Sequence, residues 1–299
     1  MTETGAPGSP YGTGSPGGTA KLAGRTVARI GFGAMQLGHQ RAGRDAATAI
    51  LRQATEAGVN HIDTAHFYGP ANDLIRHALA PYSDELVLVT KVGAVIDGSA
   101  LVPAQRPRQL REQVEEANLA TLGADRLGAV YLRRLDAPPG IVAEGDQLVD
   151  IDDQLAELSA LRDAGKIGGI GLSGVSAAQL GRALPVRIAC VQNSYSVLDR
   201  AAEPLLALCR EHGIAWVPFF PLGSAFPSQP HVTRDPAVTA IAADLGATPA
   251  QVALAWLLAH FDGTLLIAGT ANPVHLAENV AAGGIRLPAT AISALDSLA

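Results

Sequence analysis

Eight short apolar runs of strand type, separated by Ala-rich segments of helical length, constrain this chain more than any other feature. The runs lie at 27–33, 60–64, 86–91, 127–132, 167–172, 188–192, 214–219 and 264–268. The helical segments lie at 44–57, 70–80, 107–122, 152–164, 176–184, 200–212, 236–260 (broken around Gly246 to Pro249) and 273–281, and Pro288 opens a terminal helix. Such alternation is the pattern of parallel strands with helices packed outside them. Eight units of this kind close into a (β/α)8 TIM barrel, and 299 residues with 48% hydrophobic content supply the core it needs. The helix boundaries carry their own chemistry. Asp235-Pro236 and Thr248-Pro249 each place a capping residue before a proline at the first helical position. Gly58, Gly123, Gly165 and Gly213 follow helices, where a positive φ is commonly required.

Met1 to about Ala20 is Gly, Pro, Ser and Thr with little apolar content, too polar to offset the entropy of ordering it. It reads as a disordered tail without the basic start and apolar block of a secretory leader, and 21–299 reads as a single catalytic barrel domain. The segments expected to form functional rim loops are 92–106, 133–150 and 221–235, the last able to cover a cofactor. A net charge of -6, with no Lys/Arg run of five or more, argues against nucleic acid as a partner. No run of about 18 uninterrupted apolar residues exists, so no membrane span is expected. Cys190 and Cys209 sit in apolar surroundings and read as core, which suits a reducing cytoplasm. No His/Cys/Asp cluster has metal-ligand spacing. A monomer or small homo-oligomer acting on a small molecule is the expected state.

Within the second and third runs, His61-Ile62-Asp63 leads into Phe67-Tyr68-Gly69-Pro70, and Val87-Leu88-Val89 ends in Thr90-Lys91. In a parallel sheet this puts Asp63, Tyr68 and Lys91 at or just past the carboxyl ends of strands, where such sheets carry their chemistry. A free phenol holds its proton to a pKa of about 10, and an ammonium beside a phenol favours the phenolate. A carboxylate keeps the lysine charged and aimed. A Tyr/Lys/Asp trio can therefore protonate a carbonyl oxygen while hydride arrives at its carbon. His61 reads as inward filling and His66 as a possible pocket wall. Trp216 and Trp256 read as core. Ser173 and Ser194 lack a nucleophile elbow, so acyl transfer has no support.

The run Asp63-Thr64-Ala65-x-x-Tyr68-Gly69 followed by Thr90-Lys91 resembles the catalytic core of the aldo-keto reductases, NADPH-dependent (β/α)8-barrel oxidoreductases. In most of that family a histidine ends the fourth strand. Here the strand reads Val130-Tyr131-Leu132-Arg133-Arg134, and the best register places Arg133 at that position. A guanidinium stays protonated and offers fixed donors to a developing oxyanion, but it does not titrate, which leaves proton transfer to Tyr68. The alternative is that Arg133 only neutralises Asp63 or Asp136. Leu-Arg at this strand end, with Val217-Pro218-Phe219-Phe220-Pro221-Leu222-Gly223 and the Thr248-Pro249-x-Gln251 helix, resembles a bacterial branch that includes pyridoxal reductases.

The resemblance also implies a cofactor site, since no Gly-x-Gly-x-x-Gly follows the first strand. Ser173 and Gln192 match ligands of the nicotinamide carboxamide, with Gly174 where the family's asparagine usually stands. Phe219 matches a ring that stacks on the nicotinamide, and Phe220, Pro221, Leu222, Gly223 and Ser224 would track the pyrophosphate. Gly33, Met35 and Asp63 line the first rim. Gly269, Thr270 and His275 would hold the adenosine phosphate at a helix amino terminus, with Glu278 and Asn279 on the adenine. NADPH/NADP+ is the implied cofactor and an aldehyde or ketone the implied substrate. A rival reading is an NADPH-binding regulatory barrel with little or no turnover.

Overall fold

The computed structural model describes residues 14–38, 43–136, 140–223 and 231–299. An antiparallel hairpin, β1 (Thr19–Leu22) and β2 (Arg25–Ala28), comes first, with Thr19 opposite Ala28. Then come β3 (Phe32–Gly33), β4 (His61–Asp63) and β5 (Val87–Val92), a second hairpin of β6 (Ala94–Asp97) and β7 (Ala100–Pro103), and β8 (Ala129–Arg133), β9 (Ile170–Ser173), β10 (Ile188–Gln192) and β11 (Ala215–Trp216). Seven of these form one parallel sheet in the order β3-β4-β5-β8-β9-β10-β11. Residues 264–266 close it. Thr264 bridges to Trp216 and Leu266 to Ile30, both parallel, and the Gly31 N–H donates to the Leu266 carbonyl at 2.7 Å. The eight-unit barrel is thus observed, with its last strand reduced to a pair of bridges.

Strand alternation sorts the side chains into two cores. From β5, Leu88 and Val92 face the outer helices together with Ile62, Val130, Leu132, Ile170, Leu172 and Val191. Val87 and Val89 face the barrel axis with Ala129, Tyr131, Cys190, Ala215, Val217 and Leu265. Leu22 and Val27 of the first hairpin belong to this inner cluster, so the hairpin plugs the amino-terminal mouth. Only the carboxyl-terminal mouth is left for chemistry.

Two boundaries differ from the sequence expectation. Val27 and Ala28 belong to the hairpin, and the first barrel strand begins at the Ile30 bridge. The expected tail ran to Ala20. Residues 1–13 lie outside the described residues, but Thr19 and Ala20 are already in β1, and Pro16 is buried, its carbonyl accepting from the Ile30 N–H at 3.1 Å. Docking against the barrel floor supplies the stabilisation that composition alone does not.

The helices fall where periodicity put them: Arg44–Glu56, Ala71–Leu79, Ile151–Asp163, Ala177–Ala183, Glu203–Glu211, Pro236–Leu245, Pro249–His260, Pro273–Ala281 and Ala289–Asp296. Asp235 and Thr248 cap their helices as expected, Asp235 accepting from Ala237 and Val238 N–H and Thr248 from Gln251 N–H. The segment from Pro107 to Leu122 is helical throughout but carries a π-helical stretch at Gln113–Leu119. Among the described residues no single helix is long and apolar enough to cross a membrane, and the 236–245 and 249–260 pair bends by 93°.

Candidate active site

Inward positions at the upper ends of the strands are polar where the layer below is apolar. Above Val89 stands Lys91, above Ala129 and Tyr131 stands Arg133, and above Cys190 stands Gln192. Asp63 sits at the end of β4, in register with Gly33 on one side and Val89 on the other. Asp63 and Lys91 are 4% and 5% exposed, a burial that charged side chains tolerate only when paired. They are paired: the Lys91 ammonium donates to Asp63 Oδ1 and to the Thr64 carbonyl, the latter at 3.3 Å.

The same ammonium lies 5.0 Å from the centre of the Tyr68 ring and 5.9 Å from that of Tyr131. Burial pulls the Lys91 pKa down, but the Asp63 carboxylate and then the Tyr68 hydroxyl outweigh it, and the net shift is upward. The lysine stays an ammonium at the base of the mouth. Tyr68 is half-buried and Tyr131 fully buried, so of the two phenols Tyr68 is the one open to the barrel mouth. Burial holds the Tyr131 phenol well above its usual range and pushes the Cys190 thiol beneath it up to about 12. Both are inert core. No thiol pair or metal cluster emerges: the two cysteines are free and buried, and no group of three or more His, Cys, Asp or Glu among the described residues is arranged to hold a metal ion.

Arg133 has neither of the two carboxylates considered for it as a partner. Asp136 is bound by Arg134 and by Gln179, and Asp63 by Lys91 and Gln192. Arg133 pairs with neither; its guanidinium lies 5.8 Å from the Phe67 ring centre, and Phe67 meets Tyr68 edge to face at 5.3 Å. Burial lowers its pKa while the Tyr68 hydroxyl pulls the other way.

The residues implied for the nicotinamide form one wall by register: Arg133 opposite Ser173, Ser173 opposite Gln192, and Phe219 bridged to Ser194. Ser173 and Gln192 are buried and Phe219 is half-buried, its ring edge-on to Phe220 at 5.1 Å. A hydroxyl and an amide beside a partly open aromatic ring fit a planar carboxamide-bearing ring. Gly174, at φ +67°, keeps a conformation that favours glycine. Asn193 takes over its support, accepting from the Gly174 and Val175 N–H groups at 3.1 and 3.2 Å. Phe220 to Gly223 close a turn, Gly223 N–H to Phe220 carbonyl at 2.9 Å, with Pro221 bridged to Gly223 around Leu222. Ser224 and most of the expected covering loop lie outside the described residues.

At the far end, Gly33 and Gly269 approach so closely that a Cβ on Gly269 would overlap the Gly33 carbonyl. Met35 is half-buried just beyond Gly33. Thr270 accepts from Asn272 N–H at 3.0 Å, and Asn272 caps the 273–281 helix by accepting from Val274 N–H at 2.9 Å. His275 is exposed on the first turn, Glu278 half-buried, and Asn279 buried with its amide on the Ala268 carbonyl at 3.4 Å. This capped amino terminus suits a phosphate.

Sequence reasoning missed the polar scaffold behind the mouth. Gln105 donates to the Arg133 carbonyl at 2.9 Å, and Gln154 donates to the Gln105 carbonyl at 2.7 Å. Asn118, on the π-helical stretch, accepts from Thr90 at 2.6 Å and Asn72 at 3.2 Å and donates to Gln113 at 2.8 Å and His66 at 3.3 Å. Polar residues on the buried face of an amphipathic helix were the available signal. His61 fills the space above Gly31 as expected, where a Cβ would strike its ring.

A profile of the Aldo/keto reductase family matches residues 29–299. The chain belongs to that family. It is 42% identical over 290 residues to pyridoxine 4-dehydrogenase of Escherichia coli, covering 94% of this chain and 98% of that one. It is 33% identical over 293 residues to an uncharacterized oxidoreductase of Schizosaccharomyces pombe, covering 94% and 90%. Among solved structures it resembles an aldo/keto reductase from Klebsiella pneumoniae, in complex with NADP and acetate, with a TM-score of 0.77 at 26% identity over 94% of each chain. This aldo-keto reductase is an oxidoreductase of the CH–OH/C=O couple.

Proposed function

We propose that the enzyme reduces an aldehyde or ketone to an alcohol with NADPH, Tyr68 giving the proton, and that a pyridoxal-like aldehyde is its substrate. The observation that carries this reading is Lys91, an ammonium between the Asp63 carboxylate and the Tyr68 hydroxyl at the open end of the barrel. NADPH, when bound, supplies hydride to the carbonyl carbon. The chain's own residues do the rest. Tyr68 donates a hydrogen bond to the carbonyl oxygen and then its proton, and Lys91 stabilises the phenolate left behind. Asp63 keeps Lys91 charged and aimed. Arg133 holds the oxygen side of the substrate, and Phe67 walls the pocket beside it. Ser173, Gln192 and Phe219 hold the nicotinamide, and the 273–281 helix start with Gly269, Thr270 and His275 receives the adenosine phosphate.

The kinship with pyridoxine 4-dehydrogenase supports pyridoxal as the first aldehyde to assay. Tyr68→Phe should abolish turnover while leaving NADPH binding, followed by cofactor fluorescence, largely intact. Retained turnover in that variant removes the proton-donor assignment.

A further inference from the structure

Arg133 stands at the barrel mouth with its charge uncompensated. The nearby carboxylates are engaged elsewhere, Asp63 with Lys91 and Gln192 and Asp136 with Arg134 and Gln179. Among the described residues no carboxylate pairs with the guanidinium. Its backbone, in contrast, is fixed. The Arg133 carbonyl accepts from buried Gln105, and Gly93 packs so tightly that a Cβ there would lie 2.5 Å from that carbonyl. A half-buried cation held on a rigid strand end attracts a counter-charge, and the protein leaves that counter-charge to the ligand.

We propose that the substrate supplies the missing anion: the enzyme takes carbonyl compounds with an ionised oxygen on the atom next to the one bearing the carbonyl, and Arg133 bridges the two oxygens. This rests on the carbonyl-reductase reading and narrows it. The adjacency follows from geometry. Arg133 lies over Phe67 at 5.8 Å, and the Phe67 ring meets that of Tyr68 edge to face at 5.3 Å, so the guanidinium and the phenol flank one ring at the mouth. A substrate whose carbonyl oxygen accepts from Tyr68 extends along Phe67 towards the guanidinium, and an oxygen on its neighbouring atom comes within reach of the planar fork. A guanidinium presents paired donors along one edge and remains charged. An imidazole presents a single donor per nitrogen and would hold one oxygen.

Pyridine-4-carbaldehyde and its 3-hydroxy derivative isolate the effect. Assayed at mildly alkaline pH, both ring nitrogens are unprotonated and the 3-hydroxyl is ionised; the oxyanion donates into the ring and makes the carbonyl intrinsically the poorer hydride acceptor, so a preference for the hydroxy compound reports binding. With the full chain and NADPH, kcat/KM should favour the hydroxy aldehyde by about 50-fold. Arg133→Gln should bring that ratio to roughly unity, and Arg133→Lys, which keeps the charge without the fork, should retain part of it. A wild-type ratio near one, or a ratio unchanged in Arg133→Gln, overturns the proposal. So does an equal advantage for 4-carboxybenzaldehyde over benzaldehyde, where the anion is distant. Binding of 3-hydroxypyridine-4-carboxamide against pyridine-4-carboxamide, measured by calorimetry on enzyme saturated with NADP+, needs no turnover. If neither aldehyde is reduced but the hydroxy amide binds more tightly and loses that advantage in Arg133→Gln, the anion site stands and the reductase reading falls. Equal binding of the two amides removes the anion site.

Discussion

Gln192 donates its side-chain amide to Asp63 Oδ2 at 3.0 Å, across the barrel interior and 129 residues along the chain. The carboxylate is thereby held from two sides, Lys91 on Oδ1 and Gln192 on Oδ2. Gln192 thus supports Asp63 as well as lining the proposed nicotinamide wall. Gln192→Leu should destabilise the cofactor-free protein by about 1–3 kcal/mol, the cost of an unsatisfied buried acceptor, and should also lower kcat/KM. Thermal denaturation without cofactor checks the first effect; an unchanged melting temperature would mean that the residue serves the ligand alone.

Lys91→Met leaves Asp63 buried without its cation and should cost about 3–5 kcal/mol as well as turnover. Lys91→Met/Asp63→Leu should recover much of the stability and none of the activity. The pKa of Lys91 is raised in the fold, so its contribution is fully present below the unfolded value of 10.5 and is lost as pH rises through the higher folded value. Denaturant titrations on the alkaline side should show this loss in the wild type and a shallower one in Lys91→Met.

Acid should destabilise the protein through two buried or half-buried histidines. Burial lowers both His61 and His66 to about 4 from 6.5, against the pull of the Leu266 and Ala28 carbonyls on His61 and those of Ala94 and Lys91 on His66. The unfolded chain takes up these protons first, so the contribution is complete above about 6.5 and erodes as pH falls towards 4, by roughly 3 kcal/mol per histidine at most. His61→Leu should flatten the stability profile between pH 6.5 and 4. An equally steep profile in the variant would assign the acid sensitivity elsewhere.

In the proposed phosphate site, the choice between NADPH and NADH should turn on His275. Gly269 is pressed against the Gly33 backbone and has no room for a basic side chain, and His275 is exposed on the first helical turn. His275→Arg should raise the kcat/KM ratio of NADPH over NADH by about 10-fold through a charge-assisted contact to the 2′-phosphate. No change in the ratio would place the phosphate beyond reach of this turn.

Asn118 ties the π-helical stretch to Thr90, Asn72 and His66 just behind the catalytic strand ends. Asn118→Leu should destabilise by about 2–4 kcal/mol by leaving several buried groups unpaired. The loss should appear in thermal melts and as a fall in kcat larger than any rise in KM.

The strands and helices were legible because local pattern determines them: runs of Val, Ile and Leu must be buried, and Ala-rich segments ending in Gly or starting at Asp-Pro and Thr-Pro must be helical. Asp63, Tyr68 and Lys91 were legible for a related reason, since a parallel barrel gathers its strand ends at one mouth. Tertiary structure decided what spacing cannot. Arg133 and Arg134 are adjacent and chemically identical, yet Arg134 goes to Asp136 while Arg133 points over Phe67. Successive side chains at a strand end face opposite ways, and only the closed barrel fixes which way is the mouth. The Asp63–Gln192 bond joins strands that are far apart in sequence and become neighbours across the axis only on closure. Thr19 and Ala20, expected in the tail, are ordered as β1 because the floor that the hairpin plugs exists only in the folded barrel.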